Sequence, residues 1–301
     1  MALLGTAGPG LAAGPGAAGV CHEPGALETS RTVEIGGAPA LGLKSYDRTL
    51  DLRDHEVVLT FDDGPWAPTT PEVLAALAAQ CVRATFFLIG RNAQAHPGLV
   101  RREIAEGHTV GHHTWDHPAL TLRNMGAEAG IAEIERGMEA DDRAAGAGWT
   151  GRPRVPFFRY PGFGDSPATR DWLKARGIAV FGADLWASDW VPMTPEAERD
   201  LLMERLRAAG RGIVLLHDGK RQTADMLPSF LAQLKAEGFR IVHMVPGGTD
   251  TATRPAPSGW SSETERTLDH MWPKARAEAK PGSSALPSGP ADGPSLRPSL
   301  N

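Results

Sequence analysis

The stretch GHTVGHHTWDHP, residues 107–118, gathers four histidines: His108, His112, His113 and His117. Imidazole is the commonest side-chain ligand for metal ions, so the first question is which pair could chelate. His108/His112 and His113/His117 are each four residues apart, a spacing that on a helical turn brings both rings to one side. HTVGHH alternates like the end of a strand. His108, Val110 and His112 then share one face, and Thr109, Gly111 and His113 the other. On a strand His108 and His112 stand about 13 Å apart, four steps of roughly 3.3 Å, too far to hold one ion. After His113, Thr114 can cap a turn and Pro118 can end it. His113 and His117 are therefore expected to share one helical turn and to form the chelating pair. His108 reads as a surface or loop histidine, and His112 borders the site.

Other polar side chains follow apolar runs elsewhere. EVVLTF leads into Asp62 and Asp63, PFF into Arg159, FGADLWAS into Asp189 and Trp190, and GIVLL into His217 and Asp218. Each alone has an ordinary reading: a DDGP turn, a salt-bridge arginine, a loop, a capped strand end. Together they are harder to dismiss. Two adjacent carboxylates repel unless a cation is near. Two histidines and a carboxylate leave an open position on a zinc ion for water, whose pKa falls towards about 7, and the ion polarises a carbonyl. A second carboxylate can then serve as general base and a histidine opposite as general acid. The chemistry so described is metal-dependent hydrolysis of an amide or ester.

The elements that must position these residues alternate along the chain. Strands are expected at 56–61, 84–90, 108–113, 155–160, 178–184, 212–217 and 239–245. Helices are expected at 69–80, 97–107, 125–145, 166–177, 194–210 and 223–238. About seven strand–helix repeats indicate a parallel α/β sheet or barrel, whose active site lies where the strands end. That is where the polar residues fall. Residues 1–50 are rich in Gly, Ala and Pro and are expected to form a partly disordered arm, ordered from about residue 30. Residues 51–246 form the domain. Residues 247–301 are Pro/Gly/Ser-rich and read as a largely disordered tail, with room for a short helix around 261–279.

The 301 residues are 41% hydrophobic and 22% charged, with a net charge of −5. A nucleic-acid surface would need a clustered basic face, and no apolar run approaches the roughly 20 residues of a membrane span. The Ala/Gly-rich start lacks a basic region and makes a poor signal peptide; it could be the remnant of one. Two cysteines, Cys21 and Cys81, are expected to be unrelated thiols, with Cys81 half-buried at a helix end. The alternative is a disulfide pinning the arm to the domain, which requires an oxidising compartment.

TFDDGP (60–65), HTWDH (113–117), RYPGFG (159–164), DLWASDW (184–190) and LLHD (215–218) resemble, in order, the five motifs of the polysaccharide deacetylases, the NodB-homology or family 4 carbohydrate esterases. The resemblance covers roughly residues 55–245. It implies a distorted (β/α) barrel and metal-dependent removal of N- or O-acetyl groups from a glycan by an exported, periplasmic or cell-envelope protein. By position, Asp63, His113 and His117 would bind one divalent ion, zinc, with cobalt or another ion as alternatives. Asp62 would be the general base, held by Arg159. His217 would be the general acid, oriented by Asp189. Trp190 and Leu215 would wall the acetate pocket. An N–H from the third motif (Pro161, Gly162, Phe163) would stabilise the oxyanion together with the metal.

Two departures stand out. Gly162 interrupts the usual third motif, so the donor is either Gly162 or Phe163. His112 replaces the family's usual Asn and could add charge near the metal or a spare ligand. Trp66, Trp115 and Trp186 adjoin the motifs, where they could stack on sugars or simply pack. The competing functions are a glycan-binding pseudoenzyme and a metal-dependent amidase of small C–N substrates.

Overall fold

In the computed structural model, which describes residue 21 and residues 23–118 and 122–271, the arm contributes three short strands: β1 (Thr29–Ile35), β2 (Ala40–Leu41) and β3 (Arg48–Leu50). The expected alternation follows. It runs β4 (Glu56–Asp62), α1 (Thr70–Ala79), β5 (Thr85–Leu88), α2 (Gly90–Ala95), α3 (Pro97–Ala105), β6 (Thr109–His112), α4 (Ala127–Ala144), β7 (Phe157–Phe158) and α5 (Pro167–Ala175). It continues through β8 (Ala179–Phe181), β9 (Leu185–Trp186), α6 (Pro195–Ala209), β10 (Gly212–His217), α7 (Arg221–Ala236) and β11 (Arg240–Pro246). Local chemistry sets several starts. Ser166 and Thr169 form a reciprocal capping box on α5, Thr194 caps α6, and both helices have Pro at the first turn.

Every pairing in the main sheet is parallel. Its path runs β2–β8–β7–β6–β5–β4–β10–β9, while β11 joins the start of β4 and β1 lies outside β11. This is the distorted barrel, and its central strand shows why the site is polar. β4 is buried along its whole length. Val57, Leu59 and Phe61 pack outward with Leu74, Leu77 and Leu227 from the helices, whereas Val58 faces the inner cluster with Phe87, Phe157, Phe181 and Ile213. Alternation sends Thr60 and Asp62 inward with Val58. No backbone pairing joins β9 to β2 among the described residues. The Asp184 carboxylate bridges there instead, accepting hydrogen bonds from Leu43 N (2.8 Å), Thr49 Oγ1 (2.7 Å) and Ile213 N (2.8 Å).

Two expectations are revised. Regular structure continues past residue 246 with an unexpected strand, β12 (Thr253–Pro255), while α8 (Glu263–Met271) falls where a short helix had room. β12 pairs antiparallel with β3, Thr264 N donates to Lys44 O (2.9 Å), and Ala256 N donates to Asp47 O (2.8 Å). The composition of 247–271 looked unable to bury anything, but its backbone is satisfied by the 43–51 segment, a partner invisible in local sequence. Residues 272–301 of the expected tail, and residues 1–20 with the candidate export signal, lie outside the described residues.

The second revision concerns the cysteines, which are not separate thiols. Cys21 and Cys81 form a disulfide across a sequence separation of 60. Glu28 N to Gln80 O (2.9 Å) and Thr29 N to Cys81 O (3.2 Å) hold the same arm against the end of α1. Labelling the unfolded, unreduced protein with a thiol reagent is expected to find no free cysteine, and two labels would overturn the pairing. Because the closed loop is long, Cys81→Ser should cost up to about 4 kcal/mol by the chain-entropy relation, read as a lower denaturation midpoint.

Candidate active site

Strand register builds the site. Asp62, the last residue of β4, lies opposite His217, the last of β10. On the other flank Leu88, His112 and Phe158 are in register across β5, β6 and β7, so His113 and Arg159 leave their strands side by side. Trp186 of β9 aligns with Leu215 of β10. The seven side chains expected at the metal and in catalysis, Asp62, Asp63, His113, His117, Arg159, Asp189 and His217, thus meet on one rim.

Arg159 has no exposed surface. Its Nη1 donates to Asp62 Oδ1 (2.6 Å) and Thr60 Oγ1 (2.8 Å), its Nη2 to Gly182 O (2.9 Å) and its Nε to Phe181 O (3.3 Å). The guanidinium lies over the Phe87 ring at 4.3 Å. Burial lowers its pKa against the opposing pull of Asp62, and it stays a cation. Asp62 therefore has one oxygen fixed by Arg159, while Oδ2 looks towards His113 Nε2 at 3.8 Å.

Asp63, His113 and His117 each bring one ligand atom to within 4.8 Å of the others. Asp63 Oδ1 is 3.5 Å from His113 Nε2 and 3.7 Å from His117 Nε2. The donor set suits a divalent ion on two further grounds. Asp63 Oδ1 is buried without a hydrogen-bond partner, and His113 Nδ1 is engaged by the Arg159 carbonyl at 2.8 Å, which leaves Nε2 bare. Burial alone would raise the Asp63 pKa, but His117, His217 and His113 carry it down to about 2. Burial pushes His113 down to about 4, against the pull of Asp62, so it is a neutral imidazole suited to ligation.

The route to this geometry differs from the expected helical turn. Residues 113–118 form no helix. Thr114 and His117 adopt left-handed φ values of 71° and 56°. Thr114 Oγ1 does cap the turn, accepting from His117 N at 3.2 Å, and the two rings lie 5.2 Å apart. The turn is held from outside. Gly90 N and Arg91 N, opening α2, donate to Thr114 O and Trp115 O (2.9 Å each). Gly137 of α4 lies so close that a Cβ there would sit 2.4 Å from the Thr114 carbonyl carbon.

The remaining two histidines of the motif are structural. His108 is not on the surface: it is 7% exposed, its Nδ1 accepts from Ala84 N (3.1 Å), and its ring meets Phe86 edge-on. Burial holds it neutral, at about 3. His112 points into the helix layer and pairs through Nδ1 with Asp141 of α4 at 2.7 Å. Its ring is directed at Asp141 rather than at the Asp63–His113–His117 cluster, and burial pushes its pKa down to about 3. Strand alternation separates it from His113.

His217 Nδ1 donates to Asp189 Oδ1 (2.7 Å), and the His217 backbone N–H donates to Asp189 Oδ2 (2.7 Å). Its Nε2 lies 4.0 Å from Asp63 Oδ2. Burial would lower its pKa, but Asp189, then Asp63 and Asp62, outweigh it and hold it up at about 10. Sequence reasoning missed what stands behind Asp189. Thr223 Oγ1 of α7 is 2.9 Å from both Asp189 Oδ2 and Glu198 Oε1 of α6. Glu198 is fully buried, and burial raises it to about 7, with Asp189 adding to the rise. Nothing in PEAERD separates Glu198 from its solvated neighbours. Asp218 is also buried; it accepts from Thr70 Oγ1 and packs so tightly on Gly64 that a Cβ there would be 2.2 Å from Oδ2.

In the third motif Pro161–Phe163 make a single 3-10 turn with Gly162 at φ 54°. Phe163 N donates to Tyr160 O at 2.9 Å, whereas Gly162 N–H has no protein acceptor among the described residues. Trp190 is 43% exposed and meets His217 edge-on at 6.2 Å; Leu215 is buried on the inner side of β10. Trp115 carries the Arg136 guanidinium at 3.8 Å, a packing role. Trp66 donates its backbone N–H to Thr70 Oγ1 at the start of α1 (2.7 Å).

A family profile described as "Polysaccharide deacetylase" matches residues 50–181. A chitooligosaccharide deacetylase of Sinorhizobium fredii is 36% identical over 204 residues, covering 63% of this chain and 90% of that one. The peptidoglycan-N-acetylglucosamine deacetylase of Listeria monocytogenes is 31% identical over 191 residues, covering 63% of this chain. The chain matches only 38% of the length of that relative. Among solved structures, a peptidoglycan deacetylase of Bdellovibrio bacteriovorus superposes with a TM-score of 0.63 at 26% identity, covering 73% of this chain and 60% of that one. With the five motifs in order on one barrel rim, and with a 36% identical deacetylase matched over 90% of its length, the chain belongs to the polysaccharide deacetylase family.

Proposed function

We propose that the protein is a metal-dependent hydrolase that removes acetyl groups from a glycan of the peptidoglycan or chitooligosaccharide kind, with N-acetyl groups as its main target. The observation that carries this reading is the partnerless, buried Asp63 Oδ1 between His113 and His117, with Asp62 and His217 beside it. Asp63, His113 and His117 would hold the ion; two imidazoles and a carboxylate suit zinc. Such an ion supplies Lewis acidity at the acyl oxygen and makes water a stronger acid.

The chain's own groups do the rest. Arg159 fixes Asp62 so that its second oxygen faces the open side, where it accepts a proton from water. Asp189 orients His217 and keeps it protonated at neutral pH, ready to donate from Nε2 to the departing amine. Gly162 N–H is the donor for the developing oxyanion, because that of Phe163 is engaged by Tyr160. Trp190 and Leu215 bound the space for the acetyl methyl. The disulfide fits a protein that works outside the cytoplasm, as does the peptidoglycan named for several relatives, so we place it in the cell envelope or beyond. Among the described residues no helix is long and apolar enough to cross a membrane.

Two measurements test this. A strong chelator should abolish acetate release from N-acetylglucosamine oligomers, and added zinc should restore it. In the same series Asp63→Ala and His113→Ala should bind the ion at least about tenfold more weakly by direct metal titration. Release that persists without metal would sink the reading. Separately, Asp62→Asn and His217→Ala should each lower kcat by about 10²–10⁴-fold, assayed well below their melting temperatures. Asp62→Asn keeps an oxygen for Arg159 to donate to, so a folded but active variant would refute the base assignment.

A further inference from the structure

Beside the third motif lies a cavity of about 670 Å³, walled on one side by Phe163, Asp165 and Arg170 and on the other by Trp260, Thr264 and Glu265. Its size falls within the roughly 300–1,000 Å³ of small-molecule sites. It is connected to the catalytic rim by aromatic rings. Trp190 meets His217 edge-on, Trp186 meets Trp190 edge-on at 5.6 Å, and Phe163 stacks on Trp186 at 6.1 Å with planes 18° apart. The far wall belongs to the segment after residue 246, and its indole is fixed: Trp260 Nε1 donates to Leu43 O at 2.7 Å.

Both guanidiniums in the cavity are paired with carboxylates. Arg123 pairs with Glu265 and lies 3.8 Å from Asp165; Arg170 lies 3.4 Å from Asp165. Asp269 is 3.9 Å from Arg123. Three carboxylates thus face two guanidiniums, which leaves no surplus positive charge for a phosphate or carboxylate ligand. The surface offers hydrogen-bond donors and acceptors between aromatic flanks, the chemistry that holds an uncharged pyranose.

We propose that this cavity is a distal sugar subsite that takes uncharged N-acetylhexosamine units of the glycan chain, one or more residues away from the unit whose acetyl group lies at the rim. The inference rests on the deacetylase reading for its ligand class. It makes the protein selective for oligomers over short fragments, with the segment around Trp260 as the source of that selectivity.

The test separates binding from turnover. Calorimetric titration of the Asp62→Asn protein with the β-1,4-linked N-acetylglucosamine hexamer and dimer should show the hexamer binding at least about tenfold more tightly. Trp260→Ala, and independently Arg170→Ala on the exposed face of α5, added to that protein should narrow the hexamer-to-dimer ratio about fivefold or more. A ratio near one, or one that survives both substitutions, overturns the subsite. Acetate release by the unsubstituted protein is measured on the same sugars. If release fails while the ratio and its loss are seen, the deacetylase reading falls and the sugar subsite stands. If release occurs and the ratio does not respond, the subsite falls alone.

Discussion

A single buried cation organises the mouth of this barrel. The Arg159 guanidinium sits with no exposed surface among two backbone carbonyls, a threonine hydroxyl and the Asp62 carboxylate. Taking such a charge out of water costs several kcal/mol, and only full pairing makes it tolerable. The partners come from two other strands: Thr60 and Asp62 from β4, and Phe181 and Gly182 from β8 and the residue after it. The arginine's own carbonyl meanwhile orients His113. One side chain therefore couples the position of the Asp62 carboxylate, the ring orientation of His113 and the spacing of the two strands between which they lie. Removing either member of the Arg159–Asp62 pair would leave an uncompensated buried charge, so the geometry of the rim and the stability of the fold are linked at this point.

The rim stores backbone strain as well. Asp63, Thr114, His117, Phe163 and Ser188 all adopt positive φ, a region that costs residues with side chains of order 1–3 kcal/mol each. All five lie within the polar motifs or beside them. The strain persists because the surroundings over-determine it. α2 donates two backbone hydrogen bonds to the His113–His117 turn, Asn92 Nδ2 donates to Asp63 O at 2.8 Å, and Gly137 brings α4 against the Thr114 carbonyl. The rigid frame holds the ligand atoms apart, close enough to share an ion and with no internal hydrogen bond to satisfy Asp63 Oδ1.

Most of the strand–helix alternation could be read from the amino-acid order because it rests on local physics. Buried strands such as EVVLTF are apolar and β-branched. Helices such as SPATRDWLKARG carry their own cap, initial proline and terminal glycine. Alternation placed His112 and His113 on opposite faces, which the Asp141 pairing of His112 matches; the turn joining His113 to His117, expected to be helical, is not. The signal failed where the partner was remote. The 247–271 segment has the composition of a tail yet docks on residues 43–51. Glu198 looks like any acidic residue on a solvated helix, yet lies under Asp189 and Thr223. Cys21 and Cys81 carry no mark of their pairing, which depends on β1 running beside β11 and so bringing the arm to the end of α1.

By itself the sequence determined the order of strands and helices and the polar residues at strand ends, since these depend on side-chain type and on periods of two and 3.6 residues; Asp63 entered the candidate ligand set only through the family resemblance. Only the tertiary structure decided how the ligands meet. The His113–His117 pair is formed by a left-handed turn propped from α2 and α4, rather than by a helix. Asp62 faces His217 because β4 and β10 pair in register, and Arg159 reaches Asp62 because the inner faces of β4 and β7 look into the same closed space. Those relations are long-range, set by strand register and by the pairing of the buried Arg159 charge with groups on other strands, and no local stretch of sequence encodes them.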